Sequence, residues 1–273
     1  MSPDFSLAHL TVLSLAPPAM VAAAARCGYH YVGLRLIGVT ADSPAYPLMA
    51  DRPAMRETKA RLADTGLRVL DVEFVRLAPE TDVRGFEGLL EAGAELGARY
   101  VISAAYDPDR ARLTERFGQL CDRAVPLGLS VVLEFYPWTQ APDLGSAAAL
   151  VSAAGRPNSG ILVDTLHFAR SASSLDELAQ IPAQRLPFVH VADAPAERPA
   201  TTEGLIHAAR CERLPPGEGA IDIAGILGRM PRGIPVALEV PMQALTREIG
   251  AEGVARRVRE AAAHVLAGRG AGL

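Results

Sequence analysis

Cysteine is scarce in this chain of 273 residues: there are three, Cys27, Cys121 and Cys211. They are odd in number, far apart and without C-x-x-C or metal-finger spacing, which excludes a disulfide framework and a thiolate zinc finger. Reduced thiols in a cytoplasmic protein are expected. A basic excess is also missing, since 27 Lys and Arg stand against 31 Asp and Glu for a net charge of −4. A chain so balanced has no basic face for a phosphate backbone, so nucleic acid is not an expected partner. A small anion held by a few arginines remains compatible. Apolar runs long enough to span a bilayer are absent, so no membrane association is expected. The opening stretch "LAHLTVLSLAPPAMVAAAA" has no Lys or Arg before Arg26 and is broken by Pro17 and Pro18. It reads as a first strand and helix, not as a secretory leader.

Apolar residues are plentiful, at 49% of the chain, enough to bury a sizeable core. They come in short runs: "LTVLSL" (10–15), "YVGLRL" (31–36), "RVLDVEFV" (68–75), "YVISAAY" (100–106), "SVVLEFY" (130–136), "GILVDTL" (160–166), "PFVHVAD" (187–193) and "PVALEVP" (235–241). Mostly continuous runs rich in Val, Leu and Ile mark strands buried on both faces of a parallel sheet. Helical patterns lie between them. Two close at Gly66 and Gly97, and one breaks near Pro126. A short helix follows a serine cap in "SSLDELAQ". The stretch "GAEGVARRVREAAAHVLAG" ends the pattern, and 194–219 reads as one long irregular insertion. Eight strand–helix units predict a single-domain α/β chain, a (β/α)8 TIM barrel over 1–273. A doubly wound open sheet is the alternative, but "LSLAPPAM" carries no glycine-rich phosphate fingerprint.

Chemistry in such a barrel gathers at the C-terminal ends of the strands. The last four apolar strands are each interrupted there by a polar residue: Glu134, Asp164, His190 and Glu239. Taken singly, each glutamate reads as a salt-bridge partner and the histidine as a hydrogen-bonded core residue. Taken together, on four strands about 4.8 Å apart, they converge. Three carboxylates and an imidazole suit one divalent ion, Mn²⁺, Mg²⁺, Co²⁺ or Zn²⁺.

Those residues, with "VLEFYP", "LVDTLHF", "FVHVADAP", "RLPPGEGAID" and "ALEVP", resemble the xylose-isomerase-like barrels. That superfamily includes sugar (phosphate) isomerases and epimerases, hydroxypyruvate isomerase, inosose and dehydroshikimate dehydratases, and the AP endonuclease branch. The resemblance implies metal ligands at Glu134, Asp164, His190 and Glu239, with Glu134 and Glu239 also carrying protons. It implies substrate contacts from His167, in Asp164-x-x-His167, and from Arg213 ahead of the Pro-Gly turn. It places Ile221 and Asp222 at the start of the next helix. Strand two departs from the pattern: many relatives end it with glutamate, whereas here it reads "VGLRLIG". Arg35 then either favours an anionic substrate group or pairs with Glu73, and Arg76 stands in a similar place on strand three.

A divalent ion that holds a carbonyl and the adjacent hydroxyl acidifies the proton on the carbon next to the carbonyl and stabilises an enediolate. The leading expectation is therefore a metal-dependent isomerase or epimerase of a small keto-sugar or keto-acid. Loss of a β-hydroxyl from the same enediolate makes a dehydratase of the inosose or 3-dehydroshikimate type the alternative. Cleavage of abasic DNA is disfavoured by six histidines in all, with His9, His30 and His264 not expected at strand C-termini, and by the acidic balance. A metal-binding but inactive carbohydrate binder is a fourth reading. The 194–219 segment is expected as a lid, with His207 and Arg210 in it, and Trp138 as a wall against a sugar face. No stripe fixes the oligomeric state; monomer and homo-oligomer both fit.

Overall fold

The computed structural model describes residues 3–40 and 43–267. Eight parallel strands close on themselves in sequence order. They are β1 (Phe5–Leu7), β2 (Tyr31–Arg35), β3 (Arg68–Leu77), β4 (Tyr100–Ala105), β5 (Ser130–Glu134), β6 (Ser159–Asp164), β7 (Val189–Val191) and β8 (Val236–Leu238). Ser6 pairs with Tyr31 on one side and Ala237 on the other, so β1 seals the barrel between β2 and β8. The expected (β/α)8 fold is therefore present. The first and last residues of the expected 1–273 domain, including Gly268 at the end of the last helical pattern, lie outside the described residues.

The helices are α1 (Pro17–Arg26), α2 (Arg52–Thr65), α3 (Glu87–Glu95), α4 (Arg110–Ala124), α5 (Leu144–Ala154), α6 (Thr165–Ala169), α7 (Leu175–Gln180), α8 (Thr202–Cys211), α9 (Ile223–Arg229) and α10 (Gln243–Ala267). Their starts follow local chemistry. Asp51, Asp109, Asp143, Thr201 and Asp222 each accept a bond from a first-turn backbone N–H. Ser174 and Glu177 form a reciprocal capping box at α7. Gly66 ends α2 at φ 73°, in the left-handed region where a side chain is strained.

Two apolar layers hold the barrel. Leu70, Ile102, Val132, Leu162, Phe188 and Ala237 fill its interior. A larger layer, with Val72, Val101, Val131, Leu133, Ile161 and Val163 among its members, packs the outer strand faces against the helices. Strands buried on both faces explain the continuous apolar runs. Truncating a residue such as Leu162 to alanine costs about 2–5 kcal/mol by transfer and cavity terms.

Three expectations are corrected. The first strand is Phe5–Leu7, and 10–15 is not a strand. His9–Val12 forms a 3-10 turn over the barrel mouth, where Thr11 Oγ1 donates to the Leu238 carbonyl and accepts from Val240 N–H. Within 10–15 only Thr11 and Val12 are buried, while Leu10 and Leu13 line the cavity, a local apolar run that period-based reading does not separate from a strand. His9 consequently stands two residues past the C-terminal end of β1, contrary to expectation. The 194–219 segment is not irregular either, because it contains α8. Bridges Asp193–Leu214 and Glu212–Met242 tie its far end to the barrel rim.

Candidate metal centre and active site

The four polar strand ends meet. Glu134 closes β5 and Asp164 closes β6; His190 is the middle residue of β7, and Glu239 follows β8 directly. Parallel register sets Asp164 beside His190, and His190 beside Ala237, two residues before Glu239. All four are buried, and one ligand atom from each lies within 4.8 Å of the others. His190 Nδ1 is 3.6 Å from Glu134 Oε1, 3.7 Å from Glu239 Oε2 and 3.9 Å from Asp164 Oδ2. These gaps are too long for hydrogen bonds. They suit ligands about 2.0–2.2 Å from one shared ion.

The hydrogen-bond inventory points the same way. Glu134 Oε1 and both ring nitrogens of His190 are buried without a hydrogen-bond partner. Uncompensated burial of such atoms is costly, and a divalent cation held by Glu134 Oε1 and His190 Nδ1 removes that cost for these two atoms. The oxygen-rich donor set with one imidazole fits Mn²⁺, Co²⁺ or Zn²⁺ and accommodates Mg²⁺. Among the described residues this is the one cluster of such groups able to hold an ion.

Asp164 has two tasks. Its Oδ1 caps α6 by accepting from Leu166 N–H at 2.7 Å and His167 N–H at 3.2 Å, while Oδ2 faces the cluster. The same cap fixes His167, three residues on, at the mouth. The His167 ring lies 4.5 Å from Tyr136 and 5.3 Å from Trp138, edge-on to both. Burial pulls its pKa down to about 4, so the imidazole is neutral at pH 7, and its Nε2 has no hydrogen-bond partner.

Two arginines expected at the substrate are bound to buried carboxylates. Arg213 donates through Nη1 to Asp164 Oδ2 at 2.7 Å and through Nη2 to Glu239 Oε2 at 2.8 Å. Its Nε donates to the Ala209 carbonyl and Nη1 also to the Glu239 carbonyl. Arg35 Nε is 3.2 Å from Glu73 Oε1, the pairing alternative of the sequence reading. Both still line the cavity above the centre. Arg76 instead lies over the Tyr106 ring, 4.4 Å from its centroid.

These charges separate the two glutamates. Burial pushes the Glu134 carboxyl up to about 7, although His190 opposes the shift. Burial also disfavours the Glu239 charge, but Arg213 and His190 outweigh it and hold that carboxyl below the usual range. Glu134 Oε2 accepts a short hydrogen bond from the Tyr136 hydroxyl. His190 is resisted by burial, yet Glu239 and Glu134 raise its pKa well above the ordinary value.

The cavity holds about 240 Å³ and is open at one end. Phe74, Tyr106, Tyr136 and Trp138 form its aromatic side, with Leu10 and Leu13 opposite. Sequence reading found Trp138 but missed the others. For Tyr136 a signal existed, since "LEFYP" puts it two residues past Glu134 on the same side of the extended chain. From the 194–219 segment, Ala209, Arg210, Cys211 and Arg213 complete the wall, while His207 is not part of it.

A family model described as the xylose isomerase-like TIM barrel matches residues 21–263. An inosose isomerase of Bacillus velezensis is 29% identical over 149 residues, 50% of this chain and 51% of that protein. The chain thus spans about half the length of the inosose isomerases it matches. A 3-dehydroshikimate dehydratase of Pseudomonas aeruginosa is 30% identical over 68% of this chain and 31% of that protein. Among solved structures, the IOLI protein with a bound zinc atom superposes with a TM-score of 0.80 at 19% identity, covering 97% of this chain and 98% of that one.

Proposed function

Because the chain belongs to the xylose isomerase-like TIM barrel family, we propose that it is a divalent-metal-dependent isomerase or epimerase of a small keto-sugar or keto-acid. The observation that carries this reading is the convergence of Glu134, Asp164, His190 and Glu239 within 4.8 Å at the C-terminal mouth. The zinc in the IOLI structure and the similarity to inosose isomerases support it. Unpaired cysteines at 27, 121 and 211 support a reducing, cytoplasmic setting.

In this reading the four residues would hold the ion, which when bound would supply Lewis-acid stabilisation of negative charge on a substrate oxygen. Glu134 and Glu239 approach from β5 and β8, on either side of the β6–β7 pair. One removes the proton from the carbon beside the carbonyl, and the other returns a proton to the opposite face or to the neighbouring carbon. Glu134 Oε1 faces the ion, so the proton moves through Oε2, the oxygen that the Tyr136 hydroxyl holds in place. Arg213 orients Asp164 and Glu239 through its two terminal nitrogens. Neutral His167 supplies Nε2 to a substrate oxygen, and the aromatic wall excludes water.

A second reading is a dehydratase, favoured by the similarity to the 3-dehydroshikimate dehydratase. It uses the same proton abstraction and then expels a β-hydroxyl as water. Metal content of the purified chain, followed by a deuterium-exchange screen in D₂O, tests both. Solvent deuterium entering one carbon of an intact keto-sugar supports the isomerase; an unsaturated, ultraviolet-absorbing product selects the lyase. A chain that takes up no divalent ion overturns both.

A further inference from the structure

Three arginines line the cavity: Arg35, Arg210 and Arg213. Two are committed, Arg35 to Glu73 and Arg213 to Asp164 and Glu239. Arg210, half-buried in the last turn of α8, has no carboxylate in ion-pair contact among the described residues. Its backbone is held firmly. The carbonyl of the preceding Ala209 accepts from Arg213 Nε at 2.8 Å, and Glu212 bridges to Met242. Arg210 also stands where the main cavity adjoins a second one, lined by Thr246 and Arg247.

The charge balance of the mouth adds to this. Glu73, Glu134, Asp164 and Glu239 are four buried carboxylates; a fifth, Asp71, is pushed up to about 8 by burial and is neutral at pH 7. Arg35, Arg213 and one divalent ion offset the first four. Arg210 then leaves the loaded mouth with one unmatched positive charge beside an apolar, aromatic wall, where a charge-assisted bond is stronger than in water.

We propose that Arg210 binds a carboxylate of the substrate, and that the substrate is a compact polyol or keto compound bearing one negative charge placed away from the carbons that react at the metal. This rests on the metal-centre reading of the preceding subsection. A planar guanidinium fork matches a carboxylate through two parallel hydrogen bonds. One negative charge completes the balance, whereas a phosphate dianion exceeds it.

Trp138, the one tryptophan of the chain, lines the cavity and reports occupancy by fluorescence. The probes are shikimate, a ring triol with its carboxylate across the ring from the middle hydroxyl, and its uncharged methyl ester, titrated into the Zn²⁺-loaded full-length chain. The unaltered chain is expected to prefer shikimate. Arg210→Gln is expected to weaken shikimate about 10- to 100-fold and leave the ester unchanged. Arg210→Lys keeps part of the preference, and Arg247→Gln keeps all of it. Equal or undetectable binding of the two probes by the unaltered chain overturns the proposal. So does unchanged shikimate binding by Arg210→Gln. Tighter, Arg210-dependent binding of D-ribulose 5-phosphate overturns the choice of carboxylate. Zinc per chain, measured on the same samples, separates the failures: a chain without metal defeats the metal reading and the charge balance built on it, whereas a loaded chain indifferent to Arg210 defeats only this inference.

Discussion

The two halves of the barrel mouth are built for different tasks. Strands β5 to β8 end in or next to Glu134, Asp164, His190 and Glu239, whose ligand atoms face one another, with Asp164 Oδ2 and Glu239 Oε2 also held by Arg213. Strands β1 to β4 carry an ion pair and part of the cavity wall. Arg35 pairs with Glu73, Phe74 packs edge-on against Tyr136, and His9 sits fully buried behind them. His9 Nδ1 accepts from Arg35 N–H at 2.9 Å, and Nε2 is 2.9 Å from the Leu15 carbonyl. Buried atoms without a hydrogen-bond partner occur in both halves, but Arg35 Nε and Glu73 Oε1 offset each other as an ion pair, whereas Glu134 Oε1 and His190 Nδ1 face each other at 3.6 Å beside two further carboxylates.

The sharpest way to break that contrast is to substitute Glu134 and Glu239, the proton carriers of the proposed mechanism. Glu134→Gln and Glu239→Gln are each expected to lower solvent-deuterium exchange about 10²- to 10⁴-fold, as loss of a positioned acid or base does. Glutamine preserves shape, so the melting temperature of Glu134→Gln should stay close to the parent. Glu239→Gln also removes a buried partner of Arg213 and should melt lower. Exchange is compared at temperatures where all are folded. Equal exchange in either variant removes that residue from proton transfer.

Arg35→Gln tests the framing half. It strands Glu73, 4% exposed, without its cation. Leaving one buried charge uncompensated costs about 3–5 kcal/mol, read in urea or thermal unfolding. Zinc uptake should persist, because Arg35 touches none of the four converging residues. Loss of metal with no loss of stability would reverse the assignment of the two halves.

His9 offers a pH test in the same half. Burial, reinforced by the Arg35 charge, holds its pKa down to about 4 in the folded chain, below its ordinary 6.5, despite the bond to Leu15. The unfolded chain therefore binds the proton first. The stability tied to neutral His9 is complete above about pH 6.5 and falls as pH drops to about 4, by up to about 3 kcal/mol. Below that it changes no further. His9→Gln should lose less stability over this interval than the parent does, as followed by unfolding at matched pH values. Parallel curves would mean that His9 is protonated in the fold.

The smallest effect is expected from Tyr136→Phe. It removes the hydroxyl donor to Glu134 and leaves the ring stacked on Trp138. A single lost hydrogen bond to a charged group corresponds to about tenfold in exchange rate, with substrate affinity little changed. A larger loss of affinity than of rate would make Tyr136 a substrate-binding group instead.

Strand-by-strand, the reading from sequence held from β2 to β8 and failed at β1. Runs such as "VVLE" and "ILVD" are apolar because both faces of each strand are buried, and this periodicity is local. At β1 only Phe5–Leu7 forms the strand, too short for its own pattern to compete with the more apolar run after it. The helix α8 was hidden because 194–219 is crowded with proline, glycine and charge at both ends, and its apolar face is small: Leu205 and Ala209 are the buried residues.

The sequence by itself determined the alternation of strand and helix, and with it which polar residues stand at the barrel's C-terminal mouth. Each depends on neighbours a few positions away, and a closed parallel barrel turns strand order into spatial order. Only the tertiary structure decided how the charges divide: Arg35 to Glu73, Arg213 to Asp164 and Glu239, and Arg210 left over. Those partners lie 26 to 49 positions apart where they bridge to Arg213. Their pairing is set by loop geometry and desolvation at the mouth, which no local pattern encodes.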